Sequence, residues 1–328
     1  MRYKSVKGIT GPAQIGILLV FLGLGFILAG LAQKLIGLQM VPPGTGMTEL
    51  PKALEKAMKD PAQVGNVRLL QVVGTLLLMF VPSVMFSWVV HGRNKFWLGF
   101  NPYLNAKQVL LGFVLIFAAN IVAGPLADLS KSFVAGFPSL KETADAMEAT
   151  YNEQVKAMSN LSSWREYFMA LFIVAFFPAV FEEIFFRGAL QNTLSKWWKQ
   201  PLLAILVTSI IFSLIHLSIY LFLSRIVLGI VLGLLYERSK NIGINIIAHF
   251  LNNAVAVSQI FYFSMKGKEV SADELDPTMP WWVGVIALIG IVFLFRLFDQ
   301  ISAANKEKIA LKEKLLIADN DPFGNIAH

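Results

Sequence analysis

The sequence predicts an all-α, polytopic membrane protein with about eight transmembrane helices, and three observations carry that prediction. Of its 328 residues 56% are hydrophobic and only 15% charged, with a mean hydropathy of +0.62. A soluble domain has about 45–50% apolar and about 25% charged residues. Apolar stretches of about 20 residues, the length that crosses a bilayer, recur along the chain. Basic residues gather in alternate loops, which is how membrane helices are oriented.

The apolar stretches cover residues 12–38, 67–91, 108–127, 166–196, 201–219, 221–237, 242–264 and 281–298. Arg2, Lys4 and Lys7 precede the first, as in a signal peptide. Its apolar run is far longer than the 7–15 residues of a signal h-region, so it reads as a membrane helix. The sixth stretch is short and almost continuous with the fifth, which makes that hairpin the hardest boundary to place.

The formal charge of +7 follows the same topology. Arg2, Lys4 and Lys7 precede helix 1; Arg93, Lys95 and Lys107 follow helix 2; Lys196 and Lys199 follow helix 4; Arg238 and Lys240 follow helix 6; Lys306, Lys308, Lys312 and Lys314 follow helix 8. The 3–4 and 7–8 loops lean acidic, with Glu142, Asp145, Glu148 and Glu153 after helix 3 and Glu269, Asp273, Glu274 and Asp276 after helix 7, while the 1–2 loop is mixed. The expectation is a bacterial cytoplasmic membrane protein with both termini cytoplasmic and no nucleic-acid partner. The absence of cysteine excludes disulfides, thiolate catalysis and thiolate metal ligands.

Residues 1–318 are expected to form one transmembrane domain. Within it, 1–164 hold scaffold helices 1–3 and an outer amphipathic loop, 165–265 the core with the chemistry, and 266–318 a closing helix and a polar, partly helical tail. Residues 319–328 are expected to be disordered. On the acidic side, Thr48 is a candidate cap for a short helix with Pro51 in its first turn. Ser139 to Glu142 reads as a capping box, and Met147, Tyr151, Val155 and Met158 then recur at helical spacing. That segment reads either as an interfacial helix or as a lid. Trp88, Trp97, Trp197, Trp198, Trp281 and Trp282 read as interface anchors. His91 reads as interfacial, and Arg225 as snorkelling or paired within the bundle. Gly229 and Gly233 suggest a close helix contact.

Three fragments put strongly polar groups at membrane depth: Glu182-Glu183-Ile-Phe-Phe-Arg187, Phe212-Ser-Leu-Ile-His216 and His249-Phe-Leu-Asn-Asn253. Such groups are costly in lipid and mark a functional site by default. They lie on helices 4, 5 and 7. Glu183 and Arg187, four apart with the acid first, share a helix face and are expected to pair. Glu182 lies about 100° away, so the two glutamates are not expected to aim at one reacting atom. It is then free for chemistry, desolvated among Phe181, Phe185 and Phe186 and suited to act as general base for a water. His216 can hold that water or pass a proton to a leaving amine. His249 and Asn253, four apart, can donate to an oxyanion, with Asn252 close enough to compete. Counted from the basic-side helix ends, Glu182 and His216 lie about 22 Å deep, and His249 and Asn253 about 12 and 18 Å. No serine or threonine stands beside a recognisable base. Glu182, His216 and His249 also have the ligand types of a catalytic zinc, although no H-E-x-x-H is present. No cofactor is certain, and zinc stays open.

The ordered set E-E-x-x-x-R, F-x-x-x-H and H-x-x-x-N resembles the CAAX prenyl protease and bacteriocin-processing (CPBP, or Abi) family of intramembrane peptidases over about residues 165–265. The helix holding Arg225, Gly229 and Gly233 is also similar to that family's glycine-bearing helix. The resemblance implies an endopeptidase with Glu182, His216, His249 and Asn253 at its centre, Glu183 and Arg187 in support, and membrane-associated peptides or proteins as substrates. The alternatives are a catalytically idle scaffold or immunity protein on the same fold and a proton-coupled transporter. The transporter predicts paired broken helices and an internal repeat, which the sequence lacks.

Overall fold

The computed structural model of the chain describes residues 3–158, 161, 163–267 and 279–319. The four acidic residues after helix 7 and the tail beyond Asp319 lie outside them. Among the described residues there is no strand. Each apolar stretch forms a helix: α1 (Gly11–Met40), α3 (Val64–Val90), α4 (Ala106–Ala135), α6 (Trp164–Trp198), α7 (Pro201–Leu214), α8 (Phe222–Ser239), α9 (Ile242–Met265) and α10 (Trp281–Asp319). Two further helices, α2 (Leu50–Met58) and α5 (Pro138–Met158), fall in the loops on the acidic side. Among the described residues six helices are long and apolar enough to cross a membrane. Of the other two, α7 has only 14 residues, and α8 carries Arg225, Glu237 and Arg238.

Local chemistry sets the helix ends. Asn105, Ser163 and Asn241 cap α4, α6 and α9 by accepting from backbone N–H groups of the first turn, which relieves donors that have no partner inside the helix. Two expected caps fall elsewhere. Glu49, not Thr48, precedes α2, and it makes no side-chain cap bond. Helix α5 starts at Pro138, which puts Ser139 inside it and dissolves the capping box. Proline suits a first helical position because its missing N–H costs nothing there.

Two prolines are absorbed rather than allowed to break a helix. Wider π turns at Leu76–Phe80 and Leu171–Phe176 stand immediately before the turns holding Pro82 and Pro178. A proline cannot donate and its ring crowds the carbonyl four residues back. The longer-range pairing of a π turn accommodates both faults. A third π stretch, Ile184–Gln191, contains no proline and carries Arg187.

Two apolar clusters make up most of the interior. One joins Leu18 of α1, Met79 and Phe86 of α3, Phe181 and Phe186 of α6 and Phe212 of α7. The other joins Leu115 and Ile116 of α4, Leu232 of α8, Ile244 of α9 and Phe298 of α10. The polar fragments lie where these clusters meet. The end of α10 is not a loose tail: it is helical to Asp319, and Ile309 packs with Phe96 and Trp97. Lys196 and Glu313 pair across this contact at 2.5 Å. Trp97 is consequently buried and stacked on His91 at 5.0 Å, so neither residue sits at the lipid interface as expected.

The expected close contact at Gly229 and Gly233 is present. A Cβ at Gly229 would stand 2.9 Å from Ser209 Cβ and 3.1 Å from its Cα; one at Gly233 would stand 2.8 Å from Ile205 Cγ2. Gly229→Ala should therefore force α7 and α8 apart and cost about 1–3 kcal/mol. Melting in detergent checks this, with Gly30→Ala as control, because a Cβ at Gly30 meets nothing within 4 Å.

Candidate active site

The centre of the polar cluster is the Glu183 carboxylate, which has no solvent exposure. Its Oε1 accepts from Arg187 Nη1 at 2.6 Å and from His249 Nδ1 at 2.8 Å, and its Oε2 accepts from Asn245 Nδ2 at 3.2 Å. The pairing with Arg187 is as the spacing predicts. The contact with His249 is new, and so is Asn245. That residue stands four before His249, which stands four before Asn253, so the three share one face of α9. The regular spacing is the signal that could have revealed it.

Arg187 reaches further. Its Nη2 donates to the Gly229 carbonyl at 3.1 Å, and one turn on Gln191 Nε2 donates to the Gly233 carbonyl at 3.0 Å. Asn245 Nδ2 also donates to the Leu232 carbonyl at 2.7 Å. The guanidinium lies over the Phe212 ring, 5.1 Å from its centroid. Glu183 is thus neutralised and hydrogen-bonded at each oxygen, which a buried charge requires.

Glu182 approaches the same imidazole from the other side. Its Oε2 stands 3.9 Å from His249 Nε2 and is buried without a hydrogen-bond partner. The two glutamates therefore diverge around α6, as helix geometry requires, and reach opposite nitrogens of one ring. A separation of 3.9 Å is too long for a direct hydrogen bond and suits a bridging water.

The carboxylate bound to Arg187 can only accept, so His249 carries its proton on Nδ1 and, when neutral, presents a lone pair at Nε2. His216 is held in the same tautomer, because its Nδ1 lies 2.7 Å from the Phe212 carbonyl. Phe212 separates the rings, with centroids 4.7 Å from His216 and 6.1 Å from His249.

His216 is not inside a helix as expected. It follows the end of α7, in the turn before α8, and its side chain satisfies one of the carbonyls that a helix end leaves free. The next residue, Leu217, has φ of 50°, a left-handed conformation costing about 1–2 kcal/mol for a non-glycine residue. Arg225 pairs within the bundle: Nη1 donates to the His216 carbonyl at 3.3 Å, and the guanidinium lies over the Tyr151 ring.

The amphipathic segment α5 docks on this turn. Tyr220 Oη donates to Asp145 Oδ1 at 2.5 Å and Ser218 Oγ to Glu148 Oε2 at 3.1 Å. The bonds from Lys141 and Tyr220 hold the Asp145 carboxyl below its ordinary value. The Tyr220 phenol, bonded to Asp145, is pushed up to about 12. It therefore remains a donor through the physiological range.

The depths counted from helix ends put His249 about 10 Å shallower than Glu182, although the two face each other. The ends are not level. A Cβ at Gly188 would lie 3.2 Å from Ile242 Cδ1, so α9 starts part-way along α6. Ile242 N–H bonds to the Gly99 carbonyl at 3.0 Å, and Asn241 Nδ2 to Asn101 Oδ1 at 3.0 Å and to the Tyr103 carbonyl at 3.1 Å. From that level Glu182 is about 9 Å along α6 and His249 about 10 Å along α9, so the two meet.

The third fragment is read differently at its end. Asn252 Nδ2 donates to Asn253 Oδ1 at 3.3 Å, and Asn252 Oδ1 accepts from Asn120 of α4 at 2.6 Å. Asn120 lies on a helix that the sequence reads as scaffold. Among the described residues no three His, Asp or Glu side chains are grouped to hold a metal ion. As placed, Glu182, His216 and His249 are not grouped as three ligands.

This helical membrane architecture and its cluster agree with the comparison to known families. Residues 164–255 match the family model described as type II CAAX prenyl endopeptidase Rce1-like. The matched model belongs to the CPBP family, and the matched segment runs from α6 into α9 and includes every residue of the three fragments. No curated protein and no solved structure matches.

Removing Arg187 would leave Glu183 buried and uncompensated. Arg187→Ala should lower stability by about 3–5 kcal/mol, visible as reduced expression and a lower melting temperature in detergent. A variant that melts like the parent would show that the pair carries no structural load.

Proposed function

We propose that the chain is an intramembrane endopeptidase that hydrolyses a peptide bond in a membrane-associated peptide or protein, using a water activated by Glu182 and His249. The observation that carries this reading is the unpaired Glu182 Oε2 facing His249 Nε2 at 3.9 Å. A water bonded to both acceptors has its two protons engaged and a lone pair free for a carbonyl carbon. Glu182 takes one proton as the oxygen attacks. Glu183, bonded to His249 Nδ1, fixes the ring and stabilises positive charge if the proton passes to Nε2.

This departs from an oxyanion role for His249, because its Nε2 accepts while the ring is neutral. Asn253 keeps that role: its Nδ2 donates to the carbonyl oxygen as charge develops there. Glu182 then gives that proton to the leaving amine, directly or by relay through His216, whose Nε2 carries a lone pair in the tautomer set by the Phe212 carbonyl. The family match supports peptide hydrolysis and leaves the substrate open between CAAX-type tails and leader-bearing peptides. We place the site within the membrane, with the basic loops and both termini on the cytoplasmic side.

Glu182→Gln should abolish cleavage and leave the melting curve unchanged or slightly raised, since the lost charge had no partner. Comparing membrane-proteome termini between the parent and this variant by mass spectrometry should reveal termini that need Glu182. Identical termini in the two would overturn the reading. On this metal-free reading, activity should persist after treatment with a chelator. Reversible loss on chelation, restored by stoichiometric zinc, would overturn the metal-free mechanism.

A further inference from the structure

We infer that Asn120, on α4, is a positioning residue that fixes the direction of the Asn253 amide. The consequence for catalysis rests on the hydrolytic reading; the relay itself does not. A primary amide has one donating and one accepting end of nearly equal shape, so its direction must come from a partner that can do only one of these. The Ile116 carbonyl is such a partner. Asn120 Nδ2 lies 3.0 Å from it and 2.6 Å from Asn252 Oδ1. The group near a carbonyl must be the NH2, so Asn252 accepts through its oxygen. Its own NH2 is then the end turned to Asn253 Oδ1, at 3.3 Å. With that oxygen occupied, Asn253 has its NH2 left to present.

The direction matters because an oxyanion needs a donor. A reversed Asn253 amide would offer its oxygen, and the two negative ends would repel in a medium of low dielectric. Asn252 and Asn253 can reverse together without losing the bond between them. Only an anchor outside the pair distinguishes the two states. A backbone carbonyl on α4 supplies it, through the one side chain that touches both.

Two substitutions at Asn120 separate this role from packing. Aspartate has nearly the shape of asparagine, so a packing role predicts that Asn120→Asp is milder than Asn120→Leu. The relay predicts the reverse. An ionised carboxylate only accepts, draws the Asn252 NH2 towards itself and turns both amides. With a peptide whose cleavage depends on Glu182, kcat of Asn120→Asp should fall about 10²-fold, as for loss of an oxyanion donor, with KM little changed. Asn120→Leu leaves both directions open and should cost less than about tenfold. Acidification, which returns a proton to the substituted carboxylate, should narrow the gap between Asn120→Asp and the parent.

A second measurement needs no substrate. In protein labelled with 15N-asparagine, Asn120→Asp should shift the side-chain amide resonances of both Asn252 and Asn253. A shift confined to Asn252, or kcat of the Asp variant at or above that of the Leu variant, would overturn the relay. If both resonances shift but the parent cleaves no peptide, the relay stands and the hydrolytic reading fails.

Discussion

A carboxylate with no access to water must be neutralised where it sits, and the arrangement of this core follows from meeting that need for Glu183. Its partners come from its own helix and from α9: Arg187 supplies the opposite charge, while His249 and Asn245 donate the remaining bonds. Arg187 and Asn245 also bond to carbonyls of α8. One buried charge thus links three helices. Close approach recurs beside these links: on α8, a Cβ at Gly229 or Gly233 would meet Ser209 or Ile205 of α7. A buried ion pair is weak evidence for stability. Here its clearest product is geometry, because it holds one imidazole in one tautomer facing the second glutamate.

The surrounding backbone departs from regularity near this network. The π stretch Ile184–Gln191 directly follows Glu183 and carries Arg187, and such turns recur at functional sites. It also contains Gly188, where a Cβ would lie 2.8 Å from the Leu98 carbonyl. That close approach lets α9 start beside the middle of α6. The turn after α7 puts His216 outside regular helix and leaves Leu217 in a left-handed conformation. Strain of this kind persists only where neighbours enforce it. Those neighbours include α5, through Asp145 and Glu148, so the loop helix on the acidic side is coupled to the turn that carries a site histidine.

Much of this was legible in the sequence. Apolar length located the helices, because crossing a bilayer demands it. The cost of charge at depth singles out the three fragments, and a spacing of four pairs Glu183 with Arg187. Local chemistry was a poorer guide at Ser139, where a proline one residue earlier took over the helix start, and at Trp97, which the returning end of α10 covers. The regular placement of Asn245, His249 and Asn253 was visible too, but a neutral amide attracts less notice than a charge.

What the sequence by itself determined was therefore whatever acts within one helix or between one helix and the membrane: span, face, and the i,i+4 ion pair. Only the tertiary structure decided which nitrogen of His249 meets which glutamate, that α9 begins part-way along α6, and that Asn120 reaches Asn252. The physical reason is that a helix fixes angles and rises along its own axis, whereas relative level between helices is set by contacts distant in sequence. Here those are the bonds of Asn241 to the 101–103 loop and the missing side chain at Gly188, neither of which leaves a periodic trace in the chain.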